Sequence, residues 1–283
     1  MTLDHSLVGE TSEPVEKTWD SKDVMLYALG LGAGAEDPLQ ELEFTTENTA
    51  GVELKVLPTY AVLAAQGRGG GRKMGDFDPA KLVHAEQGFE LHAPLPVDGR
   101  VSITSAITGM YDKGKGALVT TEATAVDAET GKPLITSRSG VFIVGEGGFG
   151  GDRGPSDDWA APDGEPDHVV RYQTRPDQAL LYRLSGDRNP LHADPAFAAR
   201  GGFPRPILHG LCTYGFTGRA LLRALCDNDP DRFDSMYGRF SRPVLPGDEL
   251  VVSIWRVGAG TALFRTATGD GTVVIDKGRV GFH

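Results

Sequence analysis

The sequence predicts an α+β protein built from two similar halves, and three observations carry that prediction. Segments with alternating apolar residues recur through 81–144 and again through 233–280, the pattern of half-buried antiparallel strands. A proline-free run with apolar residues at helical spacing, Leu211 to Cys226, precedes the second group and reads as one long helix starting at Gly210. The order of elements also repeats. Placing Tyr27 over Tyr182, an offset of 155, aligns Leu29 with Leu184, Gly32 with Asp187 and Gly34 with Asn189. Pro94 to Ile103 matches Pro243 to Val252, and Gly140-Val141-Phe142 matches Arg279-Val280-Gly281. On this alignment the first copy has lost the acid and the amide of the second.

Taken in order, residues 1–18 read as a frayed tail. Trp19 to Leu31 is a helix capped by Asp20 or Ser21 and stopped by the glycines at 30, 32 and 34. Phe44 to Thr46 reads as a short strand and Ala61 to Gln66 as a short helical piece. Residues 67–73 form a basic, glycine-rich loop that lacks the Gly-Lys-Ser/Thr ending of a Walker A loop. Between 81 and 144, Val101 to Ile107, Leu118 to Val126 and Leu134 to Val144 are strands joined by turns at 112–116 and 129–132. Gly145 to Gly150 matches G-x-G-x-x-G after a strand. Because Gly154-Pro155 follows and no helix opens, the dinucleotide reading fails and 146–168 becomes a linker. The second half starts with a strand at 169–173 and a helix at 178–185. Asp194-Pro195 then caps a short helix to Arg200, and the strands 233–240, 249–257, 261–267 and 273–280 complete it. The expected domains are therefore a tail at 1–18, a catalytically degenerate first half at 19–145, the linker, and a second half at 169–283. Gly215, Gly218 and Ala220 keep the long helix thin, as expected if a sheet packs closely around it.

The chemistry concentrates at 186–192 and 209–211. Gly186-Asp187-Arg188-Asn189-Pro190-Leu191-His192 is a tight loop, with Asn189 pushed towards extended geometry by the following proline. It places Asp187 and His192 within reach of one water, and a histidine exchanges protons near neutral pH. Gly210 opens the long helix, whose first N–H groups lack partners and carry the positive end of the dipole. A glycine there lets a substrate carbonyl approach, which describes an oxyanion hole. In the first half His84, Glu86 and Gln87 are candidates to face substrate from a strand.

The pattern G-D-x-N-P-x-H-x-D-P at 186–195, followed by Phe203, Pro206-Ile207-Leu208-His209-Gly210, resembles the hydratase 2 motif of MaoC-like (R)-specific enoyl-CoA hydratases. The likeness extends over most of the chain. It implies a double hotdog fold, two antiparallel sheets each wrapped on a helix, with the N-terminal helix shortened to admit a bulky acyl tail. It also implies reversible hydration of trans-2-enoyl-CoA without a metal or a cofactor of the protein's own, coenzyme A arriving with the substrate. Asp187 and His192 would be catalytic, Asn189 would support them, and the Gly210 N–H would bind the thioester oxygen, with Phe203, His84 and Gln87 beside the substrate. A homodimer is expected. The same fold supports acyl-CoA thioesterases and non-catalytic acyl-binding subunits, which stay as alternatives.

Composition narrows the partners. A formal net charge of −11 argues against nucleic acid, and no apolar run is long enough to cross a membrane. The N-terminus has no signal-peptide pattern and the C-terminus no peroxisomal tripeptide. Cys212 and Cys226 lie on one helix, too far apart to pair, so a reducing cytoplasm is expected. An acidic chain needs a local basic patch for the phosphates of coenzyme A. Arg68, Arg72 and Lys73 form one candidate cluster, and Arg200 with Arg205 the other.

Overall fold

The computed structural model describes residues 3–67 and 74–283. Its first half runs β1 (Val15–Trp19), α1 (Ser21–Gly30), α2 (Leu42–Thr45), α3 (Tyr60–Ala64), β2 (Leu82–Leu91), β3 (Gly99–Asp112), β4 (Gly116–Asp127) and β5 (Pro133–Val144). The second half repeats the theme with β6 (His168–Gln173), α4 (Gln178–Tyr182), α5 (Pro195–Arg200), α6 (Gly210–Cys226), β7 (Phe233–Phe240), β8 (Glu249–Gly258), β9 (Thr261–Thr268) and β10 (Val273–Phe282).

The strands do not form two separate sheets. They join in one antiparallel sheet ordered β1-β3-β4-β5-β2-β7-β10-β9-β8-β6, in which the second half mirrors the first about the β2–β7 seam. Glu86 to Glu90 pair with Arg239 to Ser235 across that seam, and the Tyr237 hydroxyl donates to Glu86 at 2.9 Å. The duplication extends to register. The sequence alignment puts Val15 on Val170 and Ile103 on Val252; Val15 pairs with Ile103 in β1–β3, and Val170 with Val252 in β6–β8.

Strand β9 buries alternate residues from Thr261 to Thr268, and the buried residues of the sheet pack in one core with α6. Every residue of α6 from Leu211 to Leu222 is buried, so this helix is packed on all sides. Its glycines serve the first half rather than the sheet. A Cβ on Gly215 would lie 2.5 Å from the Leu31 side chain, and one on Gly218 would collide with Thr59. The first half's own central helix, α3, is five residues long.

Two sequence expectations give way. Residues 15–18 are not a frayed tail: they are strand, and Trp19 at its end is buried with its indole N–H donating to Pro96 O at 2.9 Å. Upstream, Asp4 N–H bonds Met74 O and Leu3 is buried beside Ile107 and Met110. The segment looked disordered because a five-residue edge strand carries too little alternation to register. Phe44 lies in the helical turn α2, buried at 1% exposure, where a single aromatic gave no period to read.

The glycine-rich stretch after β5 has a structural occupant. Its N–H groups at Gly148 and Gly150, with that of Gly114, point at the Asp112 carboxylate at 2.7–2.9 Å. These bonds hold the Asp112 carboxyl below the usual range. The nest that suggested a phosphate loop is filled by the chain itself. The linker beyond it runs without regular structure to β6, pinned by the Asp157–Arg279 ion pair at 2.6 Å and by the Trp159 indole on Gly278 O at 3.0 Å.

Candidate active site

The loop after α4 is fixed by its own side chains. Gly186 turns the chain with φ at +131°. Asp187 Oδ1 then accepts from the Asn189 N–H at 3.1 Å, and Asn189 Oδ1 from the Leu191 N–H at 3.0 Å. Pro190 starts a single 3₁₀ turn that ends on His192, and Asp194 caps α5 through the Ala196 and Phe197 N–H groups. The loop has little freedom left.

His192 emerges from it with 8% exposure. Its Nδ1 lies 2.9 Å from Ile207 O, so Nδ1 carries the proton and Nε2 keeps a lone pair. Burial lowers the His192 pKa, which keeps the ring neutral at pH 7. Stacked on it, with centroids 3.7 Å apart and planes at 27°, is His209. Polar atoms of Asp187, His192 and His209 all lie within 4.8 Å of one another. Three such groups are a formal metal-ligand set, but near-parallel stacked rings direct their nitrogens side by side. Convergence on one ion at about 2.1 Å needs them to face a common point. A water shared between Asp187 and His192 suits the arrangement better.

Gly210 follows His209 as the first residue of α6, and its N–H has no partner within the helix. It lines the same cavity as Asp187, Asn189 and His192, a space of about 1060 Å³. The atoms nearest to a Cβ on Gly210 would be those of the Phe240 ring, at 3.4 Å, an ordinary contact. Opposite lies the inner face of the first half's sheet, with Ile107 of β3, Ala123 of β4 and Val141 of β5. The first half's own helix, α3, is only five residues long.

The other expected residues divide. Phe203, His84 and Gln87 line the cavity. His84 packs on Phe240 with centroids 4.9 Å apart, its Nε2 is buried without a partner, and burial drops its pKa to about 4. Gln87 is committed internally, donating to Gly88 O and Ser137 Oγ. Arg200 and Arg205 are not on the cavity. Arg200, the last residue of α5, lies over the Phe197 ring at 4.7 Å, and Arg205, in the loop beyond it, donates to Pro246 O at 2.6 Å. Arg68, Arg72 and Lys73 fall outside the described residues.

Known proteins match this chain along its length. The model of the MaoC like domain matches residues 158–278, and that of the MFE-2 hydratase 2 N-terminal domain matches 18–145. The chain is 45% identical to 3-hydroxyacyl-thioester dehydratase Y of Mycobacterium tuberculosis, over 100% of this chain and 99% of that one. The chain belongs to the MaoC-like hydratase 2 family. Enoyl-CoA hydratase ChsH3 of the same organism is 44% identical over 89% of this chain and 88% of its own. Among solved structures, a MaoC-like dehydratase from Phytophthora capsici superposes with a TM-score of 0.88 at 32% identity, covering 100% and 98% of the two chains. A more distant Mycobacterium tuberculosis protein described as having a double hotdog fold, at 14% identity and a TM-score of 0.58, shares the architecture. The fold is thus the double hotdog, its first helix reduced to α3.

Sequence reasoning missed some residues of this hydratase 2 site. His209 was read only as part of a motif, although a buried histidine beside the helix-opening glycine was the signal available. Arg188 and Arg242, both exposed, line the cavity and make no ion pair among the described residues. They are separate in sequence, and a search for clusters passes over them.

Proposed function

We propose that the chain is an enoyl-CoA hydratase that adds water reversibly across the 2,3 double bond of trans-2-enoyl-CoA to give (3R)-3-hydroxyacyl-CoA. The observation that carries this reading is the meeting of Asp187, the His192 Nε2 lone pair and the Gly210 N–H on one wall of a cavity large enough for an acyl thioester. Water bound between Asp187 and His192 gives a proton to Nε2 as its oxygen bonds C3. The double-bond electrons move onto the thioester oxygen, which the Gly210 N–H and the α6 dipole stabilise. The Asp187–His192 pair passes a proton to C2 and ends as it began. The names of the relatives, enoyl-CoA hydratase and 3-hydroxyacyl-thioester dehydratase, describe the two directions of this reaction. The (3R) hand follows the family resemblance.

The cavity wall formed by β3–β5 gives a long or bulky acyl chain a place to lie. Arg188, in the catalytic loop, and Arg242, just past the end of β7, line the cavity without an ion pair among the described residues and are further candidates for the phosphates of coenzyme A. A cytoplasmic homodimer completes the proposal. Two free, buried thiols support a reducing compartment, and exposed Leu29, Leu180 and Leu184, on helical segments that pack together, support a partner surface.

A panel of enoyl-CoA and saturated acyl-CoA thioesters tests the reading. Loss of the conjugated-thioester absorbance with enoyl substrates, and no thiol release from either kind, is expected. Thiol release from saturated acyl-CoA without hydration makes the protein a thioesterase and overturns the proposal.

A further inference from the structure

His209 is a buried histidine that the hydration chemistry above does not use. Its ring is fully buried, with 0% exposure, and stacks on His192 at 3.7 Å. Its Nε2 lies 3.2 Å from the backbone oxygen of Asp187, so Nε2 carries the hydrogen and donates it. Nδ1 is then a bare lone pair, buried without a partner. The ring is held neutral, its pKa driven down chiefly by burial and then by the neighbouring His192. The Tyr182 ring, 5.0 Å away, closes the other side.

The backbone of the same residue starts α6. The His209 carbonyl accepts from the Cys212 and Thr213 N–H groups, and Gly210 follows directly. The side chain takes no part in that cap. One residue therefore grips the Asp187 loop with its imidazole and sets the position of the Gly210 N–H with its main chain.

We propose that His209 is a positioning residue that fixes the distance between the proton-transferring pair, Asp187 and His192, and the oxyanion donor Gly210. The stack holds the His192 ring plane while the hydrogen bond holds the Asp187 backbone. Loosening either moves two groups that act on opposite ends of the same C=C–C=O system. A misplacement of about 1 Å in such a system lowers turnover by up to about 100-fold while leaving binding nearly intact. The proposal rests on the hydratase reading.

The test compares His209→Phe, His209→Gln and His209→Asn on crotonyl-CoA, with kcat, KM and melting temperature measured for each. Phenylalanine keeps the stack and removes the donor. Glutamine places an N–H where Nε2 was, whereas asparagine is too short to reach. The expected result is a kcat lowered by about 10- to 100-fold in H209F with KM changed by less than about threefold. H209Q should recover at least severalfold over H209N. Wild-type kcat in H209F, or a loss that appears only in KM, overturns the proposal. If H209F does not fold, equal kcat in H209Q and H209N overturns it alone. A wild-type protein that does not hydrate crotonyl-CoA or longer enoyl-CoA removes the hydratase reading first, so the two failures are distinct.

Discussion

The turn that follows the helix after the edge strand occurs twice in this chain, once after α1 and once after α4, and the two copies differ in what fills them. In the second half the turn carries Asp187, Asn189 and His192 and opens on the cavity. In the first half the aligned positions are Gly32 and Gly34, both with positive φ, a backbone conformation that strains any side chain. A Cβ on Gly32 would lie 3.0 Å from the Phe216 ring and 3.6 Å from the Arg219 guanidinium. Arg219, at 5% exposure, donates three hydrogen bonds to Glu41 at 2.6–3.0 Å, donates to Leu31 O and lies over the Tyr172 ring at 4.4 Å. The helix that opens at Gly210 beside the second turn thus packs Phe216 and Arg219 against the first. In the first half glycines stand where the second has its acid and amide, and beside Gly32 the space is taken by Phe216.

The largest effect follows from that packing. Replacing Arg219 by Met leaves Glu41 partly buried without its cation, and removal of one partner of such a pair costs about 3–5 kcal/mol. Urea unfolding should show a loss of that order, while the fraction that remains folded keeps its turnover. An unchanged unfolding midpoint would mean that the pair does not secure that packing. A smaller and opposite effect is expected beside the second turn. Gly210→Ala adds a methyl group that meets the Phe240 ring at ordinary contact distance and favours helix, so the melting temperature should hold or rise. The methyl occupies the approach of the thioester oxygen, so kcat should fall by about 10- to 100-fold. Full activity in G210A would remove that N–H from the oxyanion role.

Much of this contrast was readable in the chain. The spacing of apolar residues predicts α6 from Gly210 to Cys226 and the later strands to within two residues, because long periodic elements record their buried face in sequence. The pairing of Asp187 with His192 was readable because an Asx turn and a proline fix a short loop from local residues alone. Contacts between distant segments were not. The stack of His209 on His192 joins two loops whose approach depends on the whole sheet. The Arg219–Glu41 pair joins residues 178 positions apart. The edge strand β1 owes its order to β3, and Arg188 and Arg242 become neighbours of one cavity only after folding. Nor did the sequence show that the two expected sheets continue through β2 and β7, since seam pairing leaves no local mark.

Of the two turns, the second is proposed to supply the acid–base pair for the reaction. The direct test of this claim is the steady-state hydration of crotonyl-CoA, or of a longer enoyl-CoA if crotonyl is poor, by Asp187→Asn and His192→Ala at unchanged melting temperature. The account predicts a loss of at least about 100-fold in kcat for each, the size expected for a missing acid or base. Near-wild-type turnover in both folded variants would contradict it.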